Sequence, residues 1–219
     1  QAPPRAAGGA GNGGLSGPSA AHWDAAYAAG DTTRSWFQAA PDTSLRLIEA
    51  ARAGPAAPVL DAGGGASRLV DALLARGFAD VTVLDVSPAA LALSRARLGA
   101  AAARVTWITA DLTGWTPPRR YALWHDRAVF HFLTEDAQQA SYLTALRMGV
   151  APGGAAIIAG FAPDGPERCS GLPVRRWAPE GLAARVGAPF ALEHAETETH
   201  LTPTGREQRF AWAVLRRSE

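Results

Sequence analysis

The pattern of apolar and polar residues predicts alternating strands and helices over most of the chain. Short apolar runs typical of buried strands begin at Val59, and segments of about ten residues with helical character lie between them. The predicted strands are 59–61, 81–85, 105–110, 121–125 and 155–161, and the predicted helices between them are 67–76, 88–98 and 135–148. This order indicates right-handed βαβ units and a parallel sheet covered by helices on both faces.

The two ends of the chain have a different pattern. Residues 1–19 are rich in Ala, Gly, Pro and Ser and predict a flexible tail, and two short helices at 21–29 and 41–52 then predict a helical lid over 20–53. After a helix at 179–186, strands at 190–199 and 207–215 are joined by a turn and predict an antiparallel pair. We therefore predict one domain over 20–217 with its α/β core at 58–217.

Composition excludes several classes of protein. The 21 basic residues, all of them Arg, nearly balance 20 acidic ones, and a net charge of +1 argues against a nucleic-acid-binding protein. No apolar run approaches the length of a membrane span. Cys169 is the only cysteine, so no intrachain disulfide can form, and we expect a cytoplasmic location. The five His residues are scattered and show no metal-ligand spacing, so no metal is expected.

A glycine-rich turn is the most informative local motif. In VLDAGGGAS, residues 59–67, a buried strand runs into Gly63, Gly64 and Gly65 and then into the start of a helix. Glycines let the backbone approach a ligand closely, and a helix N-terminus offers unpaired N–H groups. An ordinary tight turn would look the same, so the motif alone is a weak signal. Arg68 stands where a dinucleotide-binding loop needs a third glycine, which disfavours a dehydrogenase.

Three acidic residues end three successive predicted strands. Asp61, Asp85 and Asp111 should therefore lie along the carboxyl edge of the sheet, where open α/β sheets bind ligands. Asp85 follows Gly65 at the spacing of a carboxylate that accepts ribose hydroxyls. Asp61 would repel a pyrophosphate but suits a positively charged group. A nucleoside with a cationic amino-acid tail describes S-adenosylmethionine.

These segments resemble the class I S-adenosylmethionine-dependent methyltransferases. VLDAGGGAS is similar to their first motif, LDVS at 84–87 to their second, and ADLT at 110–113 to their adenine-binding acidic motif. The resemblance covers roughly residues 23–215. It implies a doubly wound, mostly parallel seven-stranded sheet in the order 3-2-1-4-5-7-6, with strand 7 antiparallel. The cofactor-contacting residues expected from the loop, the strand ends and the lid are Trp23, Tyr27, Trp36, Asp61, Gly63, Gly64, Gly65, Asp85, Val86, Ser87, Asp111, Leu112 and His125.

The segment after the fourth strand is the candidate acceptor site. LWHDRAVFHF, residues 123–132, resembles the W-D-R-G segment of thiopurine S-methyltransferase-like enzymes and the [DE]-K-G segment of seven-stranded protein lysine methyltransferases. We therefore predict Asp126 as the acceptor-side carboxylate, either a base or an orienting group; an ion pair with Arg127 or a turn cap are the alternatives. His125 is a candidate base or a packed histidine, and Arg127 and Arg168 are candidate substrate-binding cations.

The predicted reaction is in-line transfer of a methyl group to a small molecule, with a thiol or other soft nucleophile favoured through the WHDR segment. Trp23, Tyr27 and Trp36 would close over the sulfonium by cation–π attraction, with plain packing of the lid as the competing explanation. A protein lysine N-methyltransferase is the alternative within enzymes. A noncatalytic binding module that keeps the cofactor fold is the alternative of another class.

Overall fold

The computed structural model describes residues 18–28 and 30–219, so the predicted tail at 1–17 lies outside the described residues. One seven-stranded sheet organises the described chain, in the order β3-β2-β1-β4-β5-β9-β8. Its strands are β1 (Val59–Ala62), β2 (Val81–Asp85), β3 (Val105–Thr109), β4 (Tyr121–Arg127), β5 (Val150–Phe161), β8 (Phe190–Leu201) and β9 (Glu207–Arg217). β6 (Arg168–Cys169) and β7 (Leu172–Pro173) form a separate small hairpin.

The topology matches the expected order, because β8 and β9 are the sixth and seventh strands of the main sheet. The first five strands pair in parallel, and β9 pairs antiparallel with both β5 and β8. The prediction of a doubly wound α/β sheet with an antiparallel seventh strand is therefore confirmed.

Six helices cover the sheet and its carboxyl edge. They are α1 (Ala20–Tyr27), α2 (Asp42–Ala50), α3 (Leu69–Ala75), α4 (Pro88–Leu98), α5 (Asp136–Gly149) and α6 (Pro179–Val186). Apolar residues of α2, α3 and α4 form a core on one face of the sheet, and those of α5 and α6 form a second core on the other. None of these described helices is long and apolar enough to cross a membrane.

Strand β5 begins earlier than predicted. Pro152, Gly153 and Gly154 read as breakers in the sequence, yet they lie within β5, which starts at Val150 directly after α5. Val150 pairs with Tyr121, and the pairing resumes at Ala155 after a register shift. The irregular segment therefore makes a bulge at the start of the strand, which a pattern of residue types cannot distinguish from a loop.

Candidate active site

A cleft of about 1260 Å³, including its open mouth, lies at the carboxyl edge of the sheet. The ends of β1, β2 and β4 form its floor, the loops after the glycine turn and after β3 form one wall, and the N-terminal segment covers it. This is where open α/β sheets bind ligands. The predicted site residues that line it are Trp23, Tyr27, Trp36, Asp61, Gly63, Gly64, Asp85, Val86, Asp111, Leu112, His125 and Arg127.

The three glycines of the turn are required by close packing. A Cβ at Gly63 would lie 2.0 Å from Cγ2 of Val129, and one at Gly64 would lie 2.5 Å from Oδ2 of Asp61. Gly65 lies against Asp85, whose Oδ2 would be 2.9 Å from an added Cβ. Gly63 and Gly65 also have positive φ angles, 72° and 39°, which side chains disfavour. The turn thus brings its backbone close to both carboxylates.

Asp61 is held by a buried chain of hydrogen bonds. Nδ1 of His125 donates to Oδ1 of Asp61 at 2.8 Å, and Nε2 of His125 lies 3.0 Å from Oγ of Ser44 on α2. Both ring nitrogens of His125 are therefore engaged by side chains of the protein. Oδ2 of Asp61 is buried and has no hydrogen-bond partner among the described residues. His125 thus fixes a carboxylate whose second oxygen is free for a cationic ligand.

Asp85 lies at the end of β2 with little exposure. Its Oδ1 accepts from the backbone N–H of Ser87 at 2.8 Å. Burial raises the pKa of the Asp85 carboxyl to about 7, and the negative charge of Asp61 acts in the same direction. A ligand that donates hydrogen bonds to this carboxylate would favour its ionised form.

Ser87, a predicted cofactor contact, is not among the residues that line the cleft. The residue is fully buried, and its hydroxyl accepts from the backbone N–H of Ala90 at 3.0 Å, capping α4. The same hydroxyl donates to Asp24 Oδ1 at 2.6 Å, which also accepts from the N–H of Ala89. The backbone N–H of Ser87 therefore positions Asp85, and its hydroxyl links the lid helix α1 to the start of α4.

Asp111 lies in the loop after β3, in the wall of the cleft. Its Oδ1 accepts from both the backbone N–H and the hydroxyl of Thr113, at 2.9 and 2.7 Å. This local turn fixes the carboxylate at the cleft, which the side chains of Val86 and Leu112 also line. This part of the cleft therefore combines apolar side chains with a polar acceptor.

The aromatic residues of the lid form one contiguous cluster over the cleft. Trp23 packs edge-on against Trp36 with ring centroids 5.8 Å apart, and Nε1 of Trp36 donates to the Tyr27 hydroxyl at 3.1 Å. Burial and the charge of Asp85 raise the pKa of Tyr27 well above its usual value, so its hydroxyl stays neutral. Arg68 forms an ion pair with Asp31 of the lid at 3.2 Å.

Asp126, the predicted acceptor-side carboxylate, is not among the residues that line the cleft, so the geometry gives that role no support. Side chains alternate along β4, so Leu123 belongs to the core under α2 and α3, whereas Trp124 belongs to the core under α5. Asp126 shares the Trp124 side and has no exposed surface. Its carboxylate accepts from Tyr142 Oη at 2.6 Å and from the backbone N–H groups of residues 129 and 130 at 2.9 and 3.1 Å. It caps the turn after β4.

Of the two candidate substrate-binding arginines, only Arg127 lies in the cleft. Its Nη1 donates to the Trp36 carbonyl at 2.9 Å, and its guanidinium packs 4.5 Å from the ring centre of Phe210. Arg168 is exposed, donates to the Gly171 carbonyl and is not among the residues that line the cleft. In the β6–β7 hairpin it is the next residue, Cys169, that turns inward and lines the cleft.

Sequence reasoning missed Ser44, which completes the chain from Asp61 through His125. Nothing in the local pattern of α2 distinguishes it from an ordinary helix serine, because its partner lies 81 residues away. The inward position of Cys169 was also missed; burial raises the pKa of its thiol to about 12 and keeps it neutral. Among the described residues, no group of three or more His, Cys, Asp or Glu could hold a metal ion.

Comparisons with known proteins agree with this geometry. A family model described as a methyltransferase domain matches residues 59–154, which contain the glycine turn, all three strand-end acids and β4. Residues 59–154 are therefore similar to a methyltransferase domain. A search of curated proteins gives no significant match.

Solved structures share the fold of this chain at low sequence identity. A protein from work on the conversion of a disulfide bond into a thioacetal group during echinomycin biosynthesis superposes with a TM-score of 0.69 at 24% identity, covering 90% of this chain and 91% of its own. The 1,6-didemethyltoxoflavin-N1-methyltransferase of Burkholderia thailandensis gives 0.65 at 22% identity, covering 82% and 78%. The N-methyltransferase NodS of Bradyrhizobium japonicum gives 0.67 at 15% identity, covering 92% and 100%.

Proposed function

We propose that this protein transfers the methyl group of S-adenosylmethionine to a small molecule held under the aromatic lid. The observation that supports it most directly is the unpartnered, buried Oδ2 of Asp61 beside the glycine turn. A buried carboxylate oxygen without a donor calls for a cationic ligand. The toxoflavin and NodS enzymes, which share the fold, were crystallised with S-adenosylhomocysteine.

The residues of the cleft fit the separate parts of this cofactor. Asp61 would hold the amino group of the methionine part, and Asp85 would accept the ribose hydroxyls. Val86 and Leu112 would flank the adenine, with Asp111 at its edge. Trp23, Tyr27 and Trp36 would face the sulfonium, where aromatic rings attract a cation. When bound, the cofactor supplies a methyl group already activated by the positive sulfur.

The protein's own contribution to the reaction is alignment and exclusion of water. Transfer at an activated carbon requires the acceptor atom in line with the bond that breaks, and holding that geometry is worth roughly 7 to 11 kcal/mol. Contacts with α4 and with the β6–β7 hairpin are among those that fasten the lid. Asp24 of α1 binds the start of α4, and His22 Nε2 lies 3.3 Å from the Ser170 hydroxyl in the β6–β7 hairpin.

The enclosed cleft favours a small acceptor over a protein lysine, because the lid covers the site and lies against the hairpin. The earlier preference for a thiol depended on Asp126 facing the acceptor. Since Asp126 faces α5, that preference has no support. The retained glycine turn and the free oxygen of Asp61 favour an enzyme over a noncatalytic module that keeps the cofactor fold.

A methyl-transfer screen tests the proposal. The purified protein is incubated with cofactor labelled in its methyl group and with panels of thiols, amines and carboxylic acids, while calorimetry compares the binding of S-adenosylmethionine, S-adenosylhomocysteine and NAD. We expect both sulfur nucleosides to bind and label to appear in at least one class of acceptor. Absence of binding by either nucleoside, or tighter binding of NAD, would overturn the proposal.

A further inference from the structure

Arg127 is part-buried and lines the cleft on the side of β4. Among the described residues, neither Nε nor Nη2 of Arg127 has a hydrogen-bond partner, although both atoms are shielded from solvent. No carboxylate of the described chain lies within ion-pair distance of this guanidinium. Buried cations in proteins are normally paired, because an uncompensated one is strongly destabilising.

Two other arginines of the chain bind a carboxylate through Nε and Nη2, whereas Arg46 binds Glu196 through its two Nη atoms. Arg97 binds Asp71 through Nε and Nη2, at 2.9 Å to Oδ1 and 2.7 Å to Oδ2. Arg216 uses the same two nitrogens on a single oxygen of Glu193, Oε2, at 3.1 and 2.7 Å. These atoms form a planar fork that matches the two oxygens of a carboxylate. In Arg127 the same two nitrogens have no hydrogen-bond partner among the described residues.

The surroundings of Arg127 hold that fork in place, and the charge of Glu198 compensates the guanidinium only in part and without a hydrogen bond. Its remaining Nη1 is fixed on the Trp36 carbonyl at 2.9 Å, and its flat face lies on the Phe210 ring. The nearest acid of β8, Glu198, is already engaged by Gln38, Thr43 and Trp212, at 3.3, 3.0 and 2.9 Å. Burial lowers the pKa of His131 to about 3 and also lowers that of His200, so neither adds charge.

Arg68, the other arginine among the residues that line the cleft, provides a contrast. It is paired with Asp31 and stacks on Phe37, so its charge is used to hold the lid. Arg127 instead lies beyond the three carboxylates of β1, β2 and β3, on the side of β5 and the hairpin residue Cys169. Trp23, Trp36 and Phe132 supply apolar rings nearby.

We propose that the Nε–Nη2 edge of Arg127 binds a carboxylate of the methyl acceptor, which makes the acceptor a small organic acid with an apolar, aromatic-sized body. This inference rests on the proposed function, because only methyl transfer would make the bound acid an acceptor. The anion site itself does not depend on that function. The methionine carboxylate of the cofactor is a second source of the same chemistry, and the experiment separates the two.

Calorimetry with benzoate and its neutral isostere benzamide tests the site, with and without S-adenosylhomocysteine. We expect benzoate to bind the wild type about 10- to 100-fold more tightly than benzamide, since a charged hydrogen-bonded pair is lost in the amide. Arg127→Gln should abolish this difference, and Arg168→Gln, a change at an exposed arginine, should preserve it. Arg127→Met, which fills the buried volume, serves if the glutamine variant does not fold by circular dichroism.

Three outcomes decide between the explanations. Equal binding of benzoate and benzamide to the wild type overturns the carboxylate site. If Arg127→Gln weakens S-adenosylhomocysteine but not 5′-methylthioadenosine, which lacks the amino-acid part, the fork holds the cofactor and the acceptor assignment is overturned. Failure of the wild type to bind S-adenosylhomocysteine refutes the proposed function, while the benzoate measurement without cofactor still reports on Arg127.

Discussion

The two sides of the cleft present opposite charge, although both are built from the carboxyl ends of parallel strands. On the side of β1 and β2, Asp61 and Asp85 point into the cleft. On the side of β4, the acid Asp126 points away, and its neighbour Arg127 faces inward. The difference arises because side chains alternate along a strand, so the consecutive residues Asp126 and Arg127 face opposite sides of the sheet. An acid at a strand end is available for binding only when it lies on the side of the sheet that faces the ligand.

Removing Asp85 should give the largest effect on the acidic side. We expect Asp85→Ala to weaken S-adenosylhomocysteine at least about 100-fold, because two hydrogen bonds from ribose to a charged group are lost. Calorimetry measures the affinity. Asp80→Ala is the control, since Asp80 is an exposed acid just before β2 and pairs with Arg119. Equal losses in the two variants would contradict a specific role for Asp85.

Removing Asp126 should affect folding rather than binding. Asp126→Ala leaves two backbone N–H groups and the Tyr142 hydroxyl without their buried acceptor, and we expect the free energy of unfolding to fall by about 2 to 4 kcal/mol. Tyr142→Phe, which removes one of these bonds, should cost about 1 kcal/mol. Denaturant titration measures both. A folded Asp126→Ala protein with normal stability but impaired acceptor binding would restore the sequence prediction.

Neutralising Asp61 should weaken binding of the methionine part of the cofactor and leave binding of its nucleoside part unchanged. We expect Asp61→Asn to weaken S-adenosylhomocysteine about 30-fold, through loss of the charge opposite the amino group. Binding of 5′-methylthioadenosine, which has no amino-acid part, should change little. Competition binding with the two nucleosides provides the measurement. A similar loss for both ligands would mean that Asp61 supports the glycine turn and does not contact the methionine part.

The smallest effect expected is a pH dependence of cofactor binding. Burial raises the pKa of Asp85 to about 7 in the unliganded protein, above its value in the unfolded chain, so its contribution to stability is greatest at low pH and is lost as the pH rises through 7. The ionised form accepts the ribose hydrogen bonds, so binding releases a proton. Affinity for S-adenosylhomocysteine should fall about 10-fold between pH 8 and pH 6. Asp85→Asn should remove this dependence.

Much of the cofactor side could be predicted because its signals are local. The glycine turn, Asp61 before it and Asp85 after the next strand lie within one βαβ unit, and parallel pairing brings their strand ends to one edge. The acceptor side was predicted less well. The choice between Asp126 and Arg127 depends on which side of β4 faces the cleft, and both sides of this central strand are buried, so the sequence shows no apolar–polar alternation to decide it.

By itself the sequence determined the order of elements, the doubly wound sheet and the carboxylates at the strand ends, since these follow from periodicity and from the geometry of parallel strands. Only the tertiary structure decided how the charges are used. Ser44 meets His125, Ser87 meets Asp24, and Tyr142 meets Asp126 across separate elements. It also left Nε and Nη2 of Arg127 without a hydrogen-bond partner among the described residues. Hydrogen-bond satisfaction in a buried site depends on neighbours distant in the chain, which no local pattern records.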